Sequence, residues 1–186
     1  MPSTSDTTGY RVLRADREDL RIAYLAALAI AIHVAEAALP SPIPGIKPGL
    51  ANVVTVAVLL RYGWRTAAWV ALLRSLAGSL LVGTFLAPTF FLSFSGAMAA
   101  VTALRVLQCL PGIGPVGLSV PAAMAHLAGQ FLVAWLLFIP HPGLLAVLPP
   151  LMTAALVTGT VNGIIAAMML HRLDNPPGAE QRAAAG

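Results

Sequence analysis

The hydrophobic positions along the chain gather into six long apolar stretches, separated by short segments that contain glycine, proline or arginine. A helix that crosses a bilayer needs about 20 mostly apolar residues. The six stretches are residues 21–39, 49–61, 66–86, 88–108, 119–139 and 144–170. The second stretch is short for a full crossing. This pattern predicts an all-α integral membrane protein with about six transmembrane helices.

The polar segments set the boundaries of the membrane domain. We predict a polar N-terminal segment over residues 1–20, a six-helix transmembrane domain over residues 21–172 and a disordered tail over residues 173–186. Four prolines within residues 40–49 exclude a continuous helix there. Backbone without helical hydrogen bonds is tolerated at membrane depth only inside protein or beside a cavity. We therefore expect this first loop to face a ligand.

Composition supports the membrane assignment. Hydrophobic residues make up 58% of the chain and charged residues 10%, with a mean hydropathy of +0.83. Soluble domains carry about 25% charged residues, so neither a disordered chain nor a water-soluble globule is expected. The basic residues are scattered through apolar sequence, a pattern that differs from a basic face with interleaved aromatic residues. We therefore predict the lipid bilayer as a partner and no nucleic acid.

The positions of the basic residues predict the orientation of the helices. With six crossings, nine arginines flank the spans on one side of the membrane, whereas Lys47 stands alone on the other side and Arg74 lies within the third span. The nine are Arg11, Arg14, Arg17, Arg21, Arg61, Arg65, Arg105, Arg172 and Arg182. Because cytoplasmic loops carry an excess of Lys and Arg, both termini are predicted to be cytoplasmic.

The first span carries a stripe of small residues. Its members are four positions apart and so share one helix face: Ala23, Ala27, Ala31 and Ala35. Small residues allow another helix to approach closely. The stripe fits either docking of a partner subunit or packing within this chain.

Glu36 and Arg74 are charged residues that lie away from the basic ends of the predicted spans, where a charge is expensive and usually faces a cavity or the interior of the bundle. Glu36 shares a helix face with His33 near the outer end of the first span. It is a candidate ligand contact or structural ion pair, unless water at the interface solvates it. Arg74 lies about 15 Å from either interface and requires a partner: Glu36, a bound anion or backbone carbonyls. With Gly78 and either Ser75 or Ser79 it would line a cavity.

The fifth and sixth spans add uncharged polar pairs. His126 and Gln130 are four residues apart on one face of the fifth span, which also carries Ser119. They are candidates for ligand binding or for hydrogen-bonded packing. Thr158 and Asn162 form a similar pair in the sixth span, and we interpret this pair as a contact between helices.

The sequence lacks the motifs of the common enzyme and metal sites. Cys109 is the only cysteine, which excludes an internal disulfide and a CxxC site. The chain contains no Asp-rich, HExxH or Walker A motif. We therefore predict no catalytic residue, no metal and no cofactor in this chain.

Three stretches together resemble a known bacterial family. They are PIPGIKPGLANVVT at residues 42–55, RSLAGSLLVGTF at residues 74–85 with its continuation LSFSGAM at residues 92–98, and GLSVPAAMAHLAGQ at residues 117–130. The chain resembles the heptaprenyl diphosphate synthase component I family, also called the Gx transporter family, over roughly residues 20–140.

The resemblance implies a specific architecture and site. Members look like the S components of energy-coupling factor transporters: six helices in the bacterial cytoplasmic (inner) membrane, both termini cytoplasmic, and a ligand pocket near the outer face. The alanine stripe then corresponds to the surface that docks a transmembrane coupling subunit. The implied ligand-binding residues are Glu36, Lys47, Asn52, Arg74, Ser119, His126 and Gln130.

Two functional hypotheses follow from the residues and the resemblance. The first is a small-molecule binding and transport subunit, energised by coupling transmembrane and ATPase subunits, with Lys47 and Arg74 favouring an anionic ligand. The alternative is a membrane accessory component of a heptaprenyl diphosphate synthase or redox assembly. In that case prenyl transfer would be catalysed by a partner prenyl synthase subunit, because this chain lacks the paired carboxylates that hold Mg²⁺.

Overall fold

The computed structural model describes residues 16–38 and 50–175, which form six α-helices and no strand. The helices are α1 (Arg17–Ala38), α2 (Leu50–Tyr62), α3 (Trp64–Val82), α4 (Pro88–Leu107), α5 (Pro115–Val133) and α6 (Leu148–Asp174). A π-helical turn, Ala134–Phe138, extends α5, and a 3₁₀ turn, Pro142–Val147, precedes α6. Lys47 and the rest of the proline-rich loop lie outside the described residues.

Five of these helices are long and apolar enough to cross a membrane, which makes the chain a multi-pass membrane protein. The exception is α2, whose 13 residues span about 20 Å, against about 30 Å for the hydrocarbon core. All seven residues from Val53 to Leu59 are buried, because α1, α3, α5 and α6 all contact this helix. A helix that is apolar on every face is stable when protein surrounds it, so α2 is a core helix of the bundle.

Three contacts bring arginines from different helices to one end of the bundle. Arg21 of α1 lies 4.8 Å from the centre of the Tyr62 ring at the end of α2. Arg105 near the end of α4 lies 5.4 Å from the centre of the Trp64 ring at the start of α3. The third contact is an ion pair between Arg61 of α2 and Asp174 of α6. We call this the basic end of the bundle.

Labelling of Cys109 tests the predicted orientation. This natural cysteine is exposed in the segment that follows α4, at the basic end. With cytoplasmic termini, a membrane-impermeant maleimide added to intact cells should leave Cys109 unmodified and should label it after permeabilisation. A matched reporter, Pro140→Cys in a Cys109→Ser background, lies in the α5–α6 connection at the other end and should react in intact cells. The reverse labelling pattern would overturn the orientation.

Glycines allow α6 to approach α5 and α5 to approach α4. A β-carbon at Gly163 would lie 2.5 Å from the Val116 α-carbon, and one at Gly159 would lie 2.9 Å from the Val120 α-carbon. Between α4 and α5, a β-carbon at Gly129 would lie 2.9 Å from the Ser95 carbonyl oxygen. At these distances a side chain in place of the glycine hydrogen would clash with backbone atoms of the neighbouring helix. The three glycines therefore fix the spacing of α4, α5 and α6.

Candidate functional site

All six helices line one cavity of about 460 Å³ in the half of the bundle remote from the basic end. Its lining combines apolar walls with an unusual number of polar groups for a membrane interior. The polar lining residues are His33, Glu36, Asn52, Arg74, Ser75, Ser79, Thr84, Thr89, Ser93, His126, Gln130, Thr158 and Asn162. A volume of this size matches the sites that hold small molecules.

Among the residues that the structure describes, Arg74 is the buried cation that lines this cavity. It lies ten residues beyond Trp64, about 15 Å along α3, and its side chain is only 7% exposed. One terminal nitrogen, Nη2, donates a hydrogen bond to Asn52 Oδ1 at 3.3 Å. Its Nε is buried and has no hydrogen-bond partner among the residues that the structure describes. A guanidinium presents five N–H donors, so Arg74 retains capacity to bind an acceptor.

Glu36 lies close enough to Arg74 to attract it electrostatically, although the two side chains come from α1 and α3. The carboxylate is buried, with 6% exposure, rather than solvated at the membrane interface. His33 lies one turn earlier on α1 and lines the same cavity. Its ring occupies the space above Gly78, where a β-carbon would lie 2.7 Å from His33 Cδ2. Gly78 therefore makes room for the ring between α1 and α3.

His126 and Gln130 form a hydrogen-bonded pair on the α5 wall. Their side-chain nitrogens, both Nε2, lie 3.0 Å apart. If the Gln130 amide donates, His126 Nε2 accepts and the ring hydrogen resides on Nδ1. Nδ1 is buried and has no partner within hydrogen-bond geometry among the described residues, although the Gly96 backbone of α4 lies near the ring. A β-carbon at Gly96 would lie 2.8 Å from Gln130 Cγ. Any larger residue at position 96 would therefore clash with the side chains of this pair.

The structure brings together five of the seven predicted ligand-binding residues. Glu36, Asn52, Arg74, His126 and Gln130 line the cavity. Ser119 is not among the lining residues: it lies between α5 and α6, and its Cβ is 3.2 Å from the position that a Gly163 β-carbon would take. Lys47 lies outside the described residues.

Several polar lining residues were absent from the predicted ligand set. Thr158 and Asn162, which the spacing predicts to form a contact between helices, also line the cavity from α6. Their four-residue spacing did indicate one polar face, although nothing in the sequence indicates whether that face meets a helix or a void. Ser93 and Thr89 on α4 are isolated hydroxyl residues without such a signal.

The alanine stripe lies on the surface of the bundle. Ala23, Ala27, Ala31 and Ala35 are all exposed, and so is the neighbouring Tyr24. The opposite face of α1 packs on α2 and α3 through residues such as Ala26 and Ala29. Packing within this chain therefore does not explain the stripe in the described structure.

Thiol labelling tests whether water reaches the cavity. Ser93 lines it, whereas Phe91, two residues earlier on the same helix, is exposed on the outside of the bundle. In a Cys109→Ser background and in native membranes, Ser93→Cys should react with a small charged methanethiosulfonate, because the thiol meets water. Phe91→Cys should react much more slowly, because its thiol meets lipid. Equal rates for the two variants, or faster reaction of Phe91→Cys, would contradict a water-filled cavity.

Comparison with known proteins places the chain in a family. A family model described as heptaprenyl diphosphate synthase component I matches residues 25–169. Searches of curated proteins and of solved structures found no match. The matched range covers most of the chain and includes every residue that lines the cavity. The chain therefore belongs to the heptaprenyl diphosphate synthase component I family.

Proposed function

We propose that the chain is the substrate-binding subunit of a transport system in the bacterial cytoplasmic membrane, and that its substrate is a small molecule with an anionic group. The observation that supports this most strongly is the buried Arg74, whose Nε lacks a partner in a cavity of ligand size. An unfilled donor on a buried cation is costly. A carboxylate or phosphate would fill it, and Arg binds both in a bidentate geometry.

The charges of the cavity lining narrow the substrate class. Among the described residues, Arg74 contributes one positive charge and Glu36 one negative charge. Their attraction offsets part of the free-energy cost of burying each charge. A substrate with an anionic group at Arg74 and a hydrogen-bond donor near Glu36 would preserve this balance. Lys47 in the first loop would add a second positive charge and favour a net anion.

The other predicted residues would orient the substrate. Asn52, His126 and Gln130 offer hydrogen-bond donors and acceptors on two walls of the cavity. Ser119 would act indirectly, by holding α5 against α6 beside Gly163. A few placed polar groups on apolar walls are the usual basis of specificity in small-molecule sites.

Binding measurements on the purified full chain in nanodiscs test this function. A panel of small carboxylates and phosphates, with neutral and cationic analogues of the same size, should yield binding for at least one anionic member. Vesicles that contain the chain with coupling transmembrane and ATPase subunits should then accumulate that molecule in the presence of ATP. Binding restricted to cationic members would contradict the proposal.

The exposed alanine stripe is the proposed docking surface for the coupling subunit. Replacing Ala27 by Trp would place a large ring where a partner helix approaches. We expect this variant to lose the complex with the coupling subunit while it retains substrate binding. Val161→Trp provides a matched control, because Val161 is also exposed but lies on α6. Loss of the complex in both variants would contradict docking at the stripe.

The family description supports a second candidate, a membrane component of a heptaprenyl diphosphate synthase. The chain would then associate with a second, soluble prenyl synthase subunit that carries the catalytic carboxylates. Affinity purification from native membranes distinguishes the two candidates. A stable complex with a prenyl synthase, together with no binding by the anion panel, would favour the synthase component.

A further inference from the structure

We call the cavity that Glu36 and Arg74 line the substrate cavity. A second cavity lies outside it, in the cleft between α3 and α4 near the basic end. Its volume is about 400 Å³. The residues that line it are Trp64, Arg65, Ala68, Trp69, Leu72, Met98, Val101 and Thr102. Trp64 and Trp69 are 39% and 52% exposed, so the cleft opens on the outer surface of the bundle.

Each helix contributes one continuous face to this groove. On α3 the residues at positions 65, 68, 69 and 72 follow the spacing of a single helical face, and so do positions 98, 101 and 102 on α4. Arg105, three residues after Thr102, continues the α4 face beyond the lining residues. Both faces end in an arginine: Arg65 lies at the start of α3, and Arg105 lies near the end of α4. Arg105 stacks on Trp64, whose ring lines the groove, so both arginines lie at the same end.

The groove therefore has a charged mouth and an apolar body. From Arg65 to Leu72 it extends about 10 Å along α3, away from the basic end and towards the membrane interior. Arg65 is exposed and forms no ion pair or side-chain hydrogen bond within the described residues. Tryptophan is typical of the depth at which lipid headgroups meet acyl chains.

We propose that this groove binds an anionic phospholipid of the bilayer. Its phosphate would lie between Arg65 and Arg105, and one acyl chain would lie along Trp69, Leu72, Met98 and Val101. Charge complementarity identifies the occupant, since two arginines at the mouth favour an anion and the apolar body favours an acyl chain attached to it. Basic pockets on transmembrane helices bind anionic headgroups in this way. The site is separate from the substrate cavity and does not depend on the function proposed for it.

Native mass spectrometry of the full chain, with phosphatidylglycerol or phosphatidylethanolamine of identical acyl chains, tests the proposal. The wild type should retain phosphatidylglycerol in preference to phosphatidylethanolamine. Arg65→Gln should weaken its retention about 5-fold, and the double variant Arg65→Gln/Arg105→Gln about 30-fold. Arg65→Lys, which keeps the charge, should restore most of it. Arg172→Gln is the matched control, because it removes the same charge from the basic end without touching the groove, and it should change retention less than 2-fold.

Three results would overturn the proposal. The first is equal retention of the two lipids by the wild type. The second is a loss in Arg172→Gln as large as that in the groove variants, which would indicate diffuse attraction to the basic end. The third is displacement of phosphatidylglycerol by an equimolar polyprenyl diphosphate, which would assign the groove to a different amphiphile. Unfolding temperatures measured in parallel identify any variant that loses lipid because it is misfolded. If Arg65→Gln is such a variant, the retention of phosphatidylglycerol by Arg65→Lys tests the proposal in its place.

Discussion

Replacing Arg74 by glutamine is expected to weaken binding of the anionic substrate by about 30- to 4,000-fold. The variant removes a buried guanidinium that would pair with the anionic group, and truncating one partner of such a pair costs about 2–5 kcal/mol. Isothermal titration of the wild type and the variant with the panel member that binds measures this loss. Arg172→Gln, an exposed arginine at the basic end, should bind like the wild type.

A second variant separates binding from folding. Arg74→Gln removes a buried cation that attracts the Glu36 carboxylate, which is expected to lower the stability. The double variant Arg74→Gln/Glu36→Gln removes both charges and should regain most of that stability. If Arg74 contacts the substrate, the double variant will fold but will bind more weakly than the single variant Glu36→Gln, which measures the loss due to Glu36 alone. Equal affinity of these two variants would instead show that Arg74 has only a structural role.

Replacing Gly163 by alanine is expected to destabilise the bundle by about 1–3 kcal/mol. The added methyl would lie 2.5 Å from the Val116 α-carbon. Because this neighbour is backbone, the strain is relieved only when α5 and α6 move apart. Unfolding of the purified protein in detergent, followed by intrinsic tryptophan fluorescence, measures the change.

Gly114 offers a matched glycine for comparison. It precedes α5 with a φ of −78°, and an added β-carbon would meet no atom within 4 Å. Gly114→Ala introduces no clash, and it is expected to change stability by less than about 1 kcal/mol, because the less flexible unfolded chain offsets the lower preference for alanine at the N-cap of α5. Equal destabilisation by the two substitutions would contradict close packing of α5 on α6.

The helices were largely predictable from the sequence, because apolar length is the main requirement for crossing a bilayer. The residues at which the helices begin and end were less predictable. The fifth span was predicted to begin at residue 119, but α5 begins at Pro115. Proline fits the first position of a helix, where it lacks only a hydrogen bond that would not form. The sixth span was predicted to end at residue 170, but α6 continues to Asp174, whose carboxylate pairs with Arg61. Contacts between distant segments set such an end, and hydropathy does not detect them.

The charged residues of the candidate site were predictable, because burying a charge in a membrane has a high free-energy cost. Arg74 and Glu36 stood out because a charge at that depth requires a partner. Residues that are inexpensive there, such as Ser93 and Thr158, gave no comparable signal, because a hydroxyl can bond to the backbone of its own helix. Thr158 does so, through the Ala154 carbonyl at 2.9 Å. That Ser119 faces α6 depends on the close approach at Gly163, which is a property of the assembled bundle.

Mass spectrometry of the small molecules carried by the protein tests directly whether the cavity holds an anionic substrate at Arg74. Wild type, Arg74→Gln and Arg172→Gln would be purified from native membranes and denatured, and the released molecules compared without prior selection. We expect a small carboxylate or phosphate to be released from the wild type and from Arg172→Gln, and to be strongly depleted in Arg74→Gln. Release of the same anion in equal amounts from all three proteins would contradict a substrate site at Arg74.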